Sequence, residues 1–219
     1  MSSGDGSDND RLVISYLTLR KAIGISGIAL PVLLIAGAMV FDGLGILGSI
    51  SAYYYTKMEG VLVGLLFVTG AFLFSYKGYE WKDDIAGDLA CVFALGTALF
   101  PTDKGFCSDT SSLVGTLHFI FAALYFATLI YFCLFLFTKT DKPPGNVNPA
   151  KQMRNFIYKI CGYTMTACVL LIGVYIKFLE CRYGWLDDLK PVFILETLAL
   201  WAFGFSWLVK GETLWKDKR

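Results

Sequence analysis

The stretch "LVGTLHFIFAALYFATLIYFCLFLFT", residues 113–138, contains no Asp, Glu, Lys or Arg. At 1.5 Å rise per residue, about 20 apolar residues in a helix cross a hydrocarbon layer of roughly 30 Å, so this segment is long enough to span a membrane. Lipid cannot satisfy open backbone groups, which makes an α-helix the default form. The strands of a barrel would instead show short alternating segments. Working outward, similar blocks recur, and the chain as a whole is 56% hydrophobic and 17% charged with a mean hydropathy of +0.58. A water-facing domain carries about 25% charged residues. The expectation is an all-α integral membrane bundle of six transmembrane helices, spanning about 22–41, 60–76, 85–101, 113–138, 155–176 and 191–209.

Residues 1–12 read as a disordered tail, since "MSSGDGSDND" has neither the basic start nor the apolar run of a secretory signal. Residues 13–219 then form a single six-helix domain whose first span acts as an uncleaved anchor. Lys and Arg set the orientation. With a cytoplasmic N-terminus, thirteen of them lie on the inner side and five (Lys57, Lys104, Lys177, Arg182 and Lys190) on the outer side. That bias places both termini in the cytoplasm and the protein in the plasma or inner membrane. A net charge of +1 leaves no basic face for nucleic acid. The polar connection "KTDKPPGNVNPAK", residues 139–151, separates four helices from two, and there is no inverted repeat of the kind that marks many transporters.

Close helix contacts are expected at Gly60 and Gly64, which have GxxxG spacing, and along the ladder Ala86, Ala90, Ala94 and Ala98. Pro31 should kink the first helix. Cys91, Cys133, Cys161 and Cys168 fall inside spans as small apolar residues, whereas Cys107 and Cys181 fall in two outer loops where a disulfide can form. One histidine and no Cys-x-x-Cys leave no metal or haem site, and no cofactor is expected.

Ionisable groups inside a span are costly, on the order of 2.5–3.5 kcal/mol, and are functional candidates by default. Sorted by depth, the candidates gather near the outer leaflet. His118 lies one to two turns inside the fourth span and Glu196 at similar depth in the sixth; Thr102 and Asp103 end the third, and Asp42 ends the first. These five are the candidate ligand-binding residues, with His118 expected to face Glu196 or Asp103. The competing reading makes His118 a neutral interhelical tie. The run Tyr53, Tyr54, Tyr55 reads as an interfacial aromatic belt, and Asp88 as a cap near the start of the third helix.

Three segments carry a family resemblance: "VGLLFVTGAFLFSY" (63–76), "DDIAGDLACVFALGTALFPTD" (83–103) and "GTLHFIFAALYF" (115–126). Residues 59–138 resemble a group of six-helix prokaryotic membrane proteins defined only as a domain of unknown function. The most distinctive shared pattern falls on Phe100, Pro101, Thr102, Asp103, Gly115 and His118. The stretch "GSISAYYYTKMEG" (48–60) departs from the serine-containing segment of that group. The resemblance implies the six-helix architecture and importance for Asp103 and His118, and it supplies no substrate.

Three functions are open on these residues. The first is binding or sensing of a membrane lipid or amphiphile in an outer polar pocket. The second is an intramembrane lipid hydrolase with Ser51 or a water as nucleophile, His118 as general base, and Asp103 or Glu196 orienting it. The third is a channel or transporter, which six spans would form as a homo-oligomer.

Overall fold

The computed structural model describes residues 5–78, 80–103, 112–140 and 148–213, with side chains in the first helix from Tyr16 onward. It is helical throughout, with no strand among the described residues. Six helices follow in chain order: α1 Asp5–Phe41, α2 Glu59–Ser75, α3 Trp81–Leu99, α4 Leu113–Tyr131, α5 Pro149–Val174 and α6 Pro191–Lys210. Short 3-10 helices occupy Ser51–Tyr55 and Gly184–Leu189. Both α4 and α5 run on into a turn of π-helix, Phe132–Leu136 and Tyr175–Leu179, each closed by a bond from residue i+5 to residue i. Helix α1 is already helical at Asp5, inside the stretch expected to be a tail.

Each helix packs on its neighbours in sequence, and α6 closes the ring against α1. One hydrophobic core cluster draws residues from all six, including Ile23, Leu62, Ala90, Tyr125, Ile157 and Phe203. The ring has two ends. At the Lys139 end, Trp207 is fully buried among the rings of Tyr76, Phe132, Phe137 and Phe203, with centroids 5.0–6.1 Å away. At the other, here the Tyr55 end, the polar residues of interest collect.

Small residues set the helix spacing, though not all of those expected. Ala86, Ala90, Ala94 and Ala98 are all buried, and an added Cβ at Gly87 would stand 2.6 Å from the Leu73 carbonyl, so α2 and α3 touch along this ladder. Gly60 and Gly64 do not serve this way, since nothing lies within 4 Å of where their Cβ would be. An equally close crossing joins α1 and α6. A Cβ on Gly24 would meet the Gly204 carbonyl at 2.7 Å, and one on Gly204 would meet the Gly24 carbonyl at 2.6 Å. Polar pairs add to the contacts: Ser26 Oγ and Thr69 Oγ1 lie 2.9 Å apart between α1 and α2, and Cys133 Sγ donates to Ser206 Oγ at 3.1 Å between the end of α4 and α6.

Among the described residues, four helices are long and apolar enough to cross a membrane: Tyr16–Phe41, Leu113–Leu136, Pro149–Leu179 and Gly184–Lys210. Helix α2 is a shorter apolar helix, and α3 starts among charges (Lys82, Asp83, Asp84) and carries Asp88. Large apolar side chains, among them Phe74, Phe135, Phe156, Leu170 and Phe178, point outward and are exposed on the bundle. A protein surface this apolar suits lipid rather than water.

Two local expectations change. The start of α3 is closed by a capping box of Glu80 at the N-cap and Asp83 at N3 rather than by Asp88: Asp83 Oδ2 accepts from the Glu80 N–H at 3.2 Å, and Lys139 Nζ bridges Asp83 Oδ1 at 2.7 Å and Glu80 Oε2 at 3.1 Å. Asp88 sits more than one turn further in, with Oδ1 buried and unpaired. The tyrosine run is not a uniform belt either. A 3-10 helix turns consecutive side chains by about 120°, so Tyr53 is fully buried against Phe193 while Tyr55 is 45% exposed.

Candidate functional site

The connection between α1 and α2 is the hub of the Tyr55 end. It is held at its base by Asp42, whose Oδ2 accepts from the Lys57 N–H at 3.1 Å, while Lys57 Nζ donates to the Phe41 carbonyl at 2.6 Å. Asp42 therefore closes this loop. Further along, the Gly48 carbonyl accepts from the Phe193 N–H at 3.0 Å, and the Ile50 N–H donates to Glu196 Oε2 at 2.6 Å. These two bonds pin the loop onto α6 and answer why α6 carries a carboxylate within its apolar run: it takes up a backbone donor that lipid would leave unsatisfied.

Ser51, the next residue, meets His118. The imidazole Nδ1 lies 2.7 Å from the Phe100 carbonyl and Nε2 lies 2.9 Å from Ser51 Oγ. A carbonyl only accepts, so Nδ1 carries the proton, and in the neutral ring Nε2 accepts from the Ser51 hydroxyl. Neither ring nitrogen pairs with a carboxylate, so the expected partners Glu196 and Asp103 are not those His118 uses. Phe100 precedes Pro101 at the end of α3, where terminal carbonyls lack helical partners, and the histidine takes one of them.

Asp103 is committed in a different way. Its Oδ2 accepts from the Ser112 N–H at 3.1 Å and its Oδ1 from Ser112 Oγ at 2.5 Å, while Ser112 in turn caps α4 by accepting from the Gly115 N–H at 2.9 Å. A Cβ on Gly115 would fall 2.2 Å from Asp103 Oδ2. The pattern of Phe100, Pro101, Thr102, Asp103, Gly115 and His118 thus has a physical content: two clamps, Asp103 on Ser112 and His118 on Phe100, fix the end of α3 to the start of α4, and Gly115 leaves room for the first.

Between these clamps sits Thr102, 3% exposed. Its carbonyl accepts from the Tyr55 hydroxyl at 2.5 Å, but its own Oγ1 is buried with no hydrogen-bond partner. An unpaired buried hydroxyl costs about 1–3 kcal/mol, so it needs an explanation. Thr102 lines two voids. One, of about 10 Å³, is shared with Ser51 and His118 and is at the lower limit for a single water. The other is a cavity of about 450 Å³, open at the Tyr55 end. That volume lies in the range of ligand sites.

The larger cavity is built by four parts of the chain. The α1–α2 connection supplies Ser49 and Tyr55, and the end of α3 supplies Thr102 and Asp103. The π turn after α5 delivers Tyr175 and Glu180, and the turn before α6 delivers Asp187 and Lys190. The Tyr175 hydroxyl donates to Asp187 Oδ1. Glu180 has one carboxylate oxygen buried and unpaired, and burial together with the neighbouring charge of Asp187 pushes its pKa up to about 7. Depth sorting therefore finds Thr102 and Asp103, while it misses Tyr175, Glu180 and Asp187. The available signal is a carboxylate directly after a span, Glu180, facing the pair Asp187–Asp188 across a short turn.

Cys181, adjacent to Glu180, is disulfide-bonded, whereas Cys91, Cys133, Cys161 and Cys168 are free. Cys107, the partner expected for Cys181, lies outside the described residues, as do Lys104, Lys142 and the residues from 214 on. No group of three or more His, Cys, Asp or Glu suited to a metal ion occurs among the described residues. Comparisons with protein-family models, curated proteins and solved structures return no match to this chain.

Proposed function

We propose that this is a multi-pass membrane protein, of six spans with cytoplasmic termini, whose cavity at the Tyr55 end binds the polar head of a membrane lipid or other amphiphile. The observation that carries the reading is Thr102, a residue that lines a cavity of about 450 Å³ and whose hydroxyl is buried without a protein partner. Burying such a group makes sense where a ligand supplies the missing bond. The thirteen-to-five bias of basic residues supports a non-cytoplasmic position for the Tyr55 end. The disulfide at Cys181, on the same end, fits an oxidising compartment. The apolar outer surface brings lipid to the cavity's rim. Thermal-shift titration of the detergent-purified chain with defined lipids tests the reading. At least one lipid class should raise the melting temperature of wild type more than that of Thr102→Val; no stabilisation by any class would refute it.

The Ser51–His118 hydrogen bond supports a second reading, an intramembrane ester hydrolase. Ser51 Oγ would attack the carbonyl carbon, His118 Nε2 would take the hydroxyl proton and pass it to the leaving alcohol, and water would then release the acyl group. The Phe100 carbonyl, rather than an acid, would orient the base. The void beside the pair, about 10 Å³, leaves little room for a substrate, so this reading ranks second. Covalent labelling of Ser51 by a fluorophosphonate, lost in His118→Ala, would promote it; an unlabelled Ser51 would remove it.

A further inference from the structure

Resting on the binding reading above, we propose that the head group taken by the Tyr55-end cavity bears an ammonium. Among the described residues, the charged side chains of the cavity wall are three carboxylates, Asp103, Glu180 and Asp187, against one lysine, Lys190. The carboxylates are not equally available. Asp103 is bonded twice to Ser112, and Asp187 accepts from Tyr175. Glu180 keeps a buried oxygen with no partner. Thr102, whose Oγ1 is likewise buried without a partner, lines the same cavity from a segment far away in sequence. A primary ammonium carries three N–H donors and a positive charge, and so answers both the hydrogen-bond deficit and the surplus of negative charge. Tyr55 and Tyr175 supply the aromatic lining that favours an organic cation over a hydrated metal ion.

The raised proton affinity of Glu180 has the same origin, a carboxylate buried beside Asp187 without a counter-cation. Lys190 stands immediately before the N-terminus of α6, where a phosphate is also favoured. The cavity thus offers complementary charge to both parts of a phospho-amine. Two sources share this chemistry, a phospholipid head group and a free amine.

Native mass spectrometry and thermal shift on the full chain in detergent separate the cases, using dioleoyl phosphatidylethanolamine, dioleoyl phosphatidylglycerol and glycerophosphoethanolamine as probes at pH 7.5. The expected result is binding of the ethanolamine lipid in preference to the glycerol lipid, weakened about tenfold or more by Glu180→Gln, as the loss of a charge-assisted hydrogen bond requires. Matching affinity for the lipid-free phospho-amine would also support the ammonium site and would name a soluble amine as its source. Equal or tighter binding of the glycerol lipid, unaffected by Glu180→Gln, would overturn the ammonium assignment and leave the binding cavity standing. Absence of binding by all three probes would overturn both.

Discussion

Replacing Thr102 by Val changes one atom that matters, exchanging a hydroxyl for a methyl of similar size. In the free protein Oγ1 is buried and unpaired, so the substitution removes a desolvation penalty of about 1–3 kcal/mol and introduces no cavity. A chain of this length shifts its midpoint by roughly 2–4 °C per kcal/mol, so lipid-depleted Thr102→Val should melt a few degrees above lipid-depleted wild type. With ligand the gap narrows. A head group at about 100 times its dissociation constant stabilises wild type by about 2.7 kcal/mol, and the variant loses that gain in proportion to the hydrogen bond it can no longer make. Differential scanning fluorimetry on delipidated protein, with and without added lipid, reads both effects in one experiment. A variant less stable than wild type when delipidated, or equally stabilised by lipid, would refute the reasoning, because Thr102 would then be an ordinary packed side chain.

Three further outcomes follow from the geometry. Gly204→Ala, whose Cβ would fall 2.6 Å from the Gly24 carbonyl, should lower stability by about 1–3 kcal/mol, whereas Gly60→Ala and Gly64→Ala, with nothing within 4 Å, should be neutral or slightly stabilising; melting curves of the three variants decide it. His118→Phe leaves both the Phe100 carbonyl and the Ser51 hydroxyl without a partner, so it should cost about 2 kcal/mol or more whether or not lipid is present, and His118→Gln should recover part of that. The carboxyl of Glu180, whose pKa is raised from 4.5 to about 7 by burial and by Asp187, binds its proton more tightly folded than unfolded. Its contribution is therefore fully present below pH 4.5 and lost as pH rises through 7. A stability profile between pH 4 and 8 should show this fall, and Glu180→Gln, still facing Asp103, Asp187 and Lys190, should flatten it.

Much of this was legible in the residues. The absence of charge over residues 113–138 and the matching blocks near 155–176 and 191–209 specify long apolar helices, and the structure has them. The alanine ladder of α3 marks a contact because its four-residue spacing keeps it on one face. The α1–α6 crossing left no such mark. Gly24 and Gly204 are 180 positions apart, and only the closing of the ring makes them neighbours, while the locally obvious Gly60 and Gly64 face open space. The π turns are equally silent, since a single i+5 bond does not disturb hydrophobic periodicity, yet one of them carries Tyr175 and Glu180 to the cavity. For His118, depth was readable and partnership was not. A ring in an apolar helix needs two hydrogen bonds, and a helix-end carbonyl together with a loop serine supplied them where carboxylates were expected.

The central claim is that a head group completes the wall around Thr102, and a high-resolution structure of the chain in lipid nanodiscs tests it most directly. The expected result is density in the cavity, with a polar atom within about 3.2 Å of Thr102 Oγ1 and the rest of the molecule leading toward the bilayer. A cavity filled by the protein's own side chains, with Thr102 bonded to one of them, would contradict it.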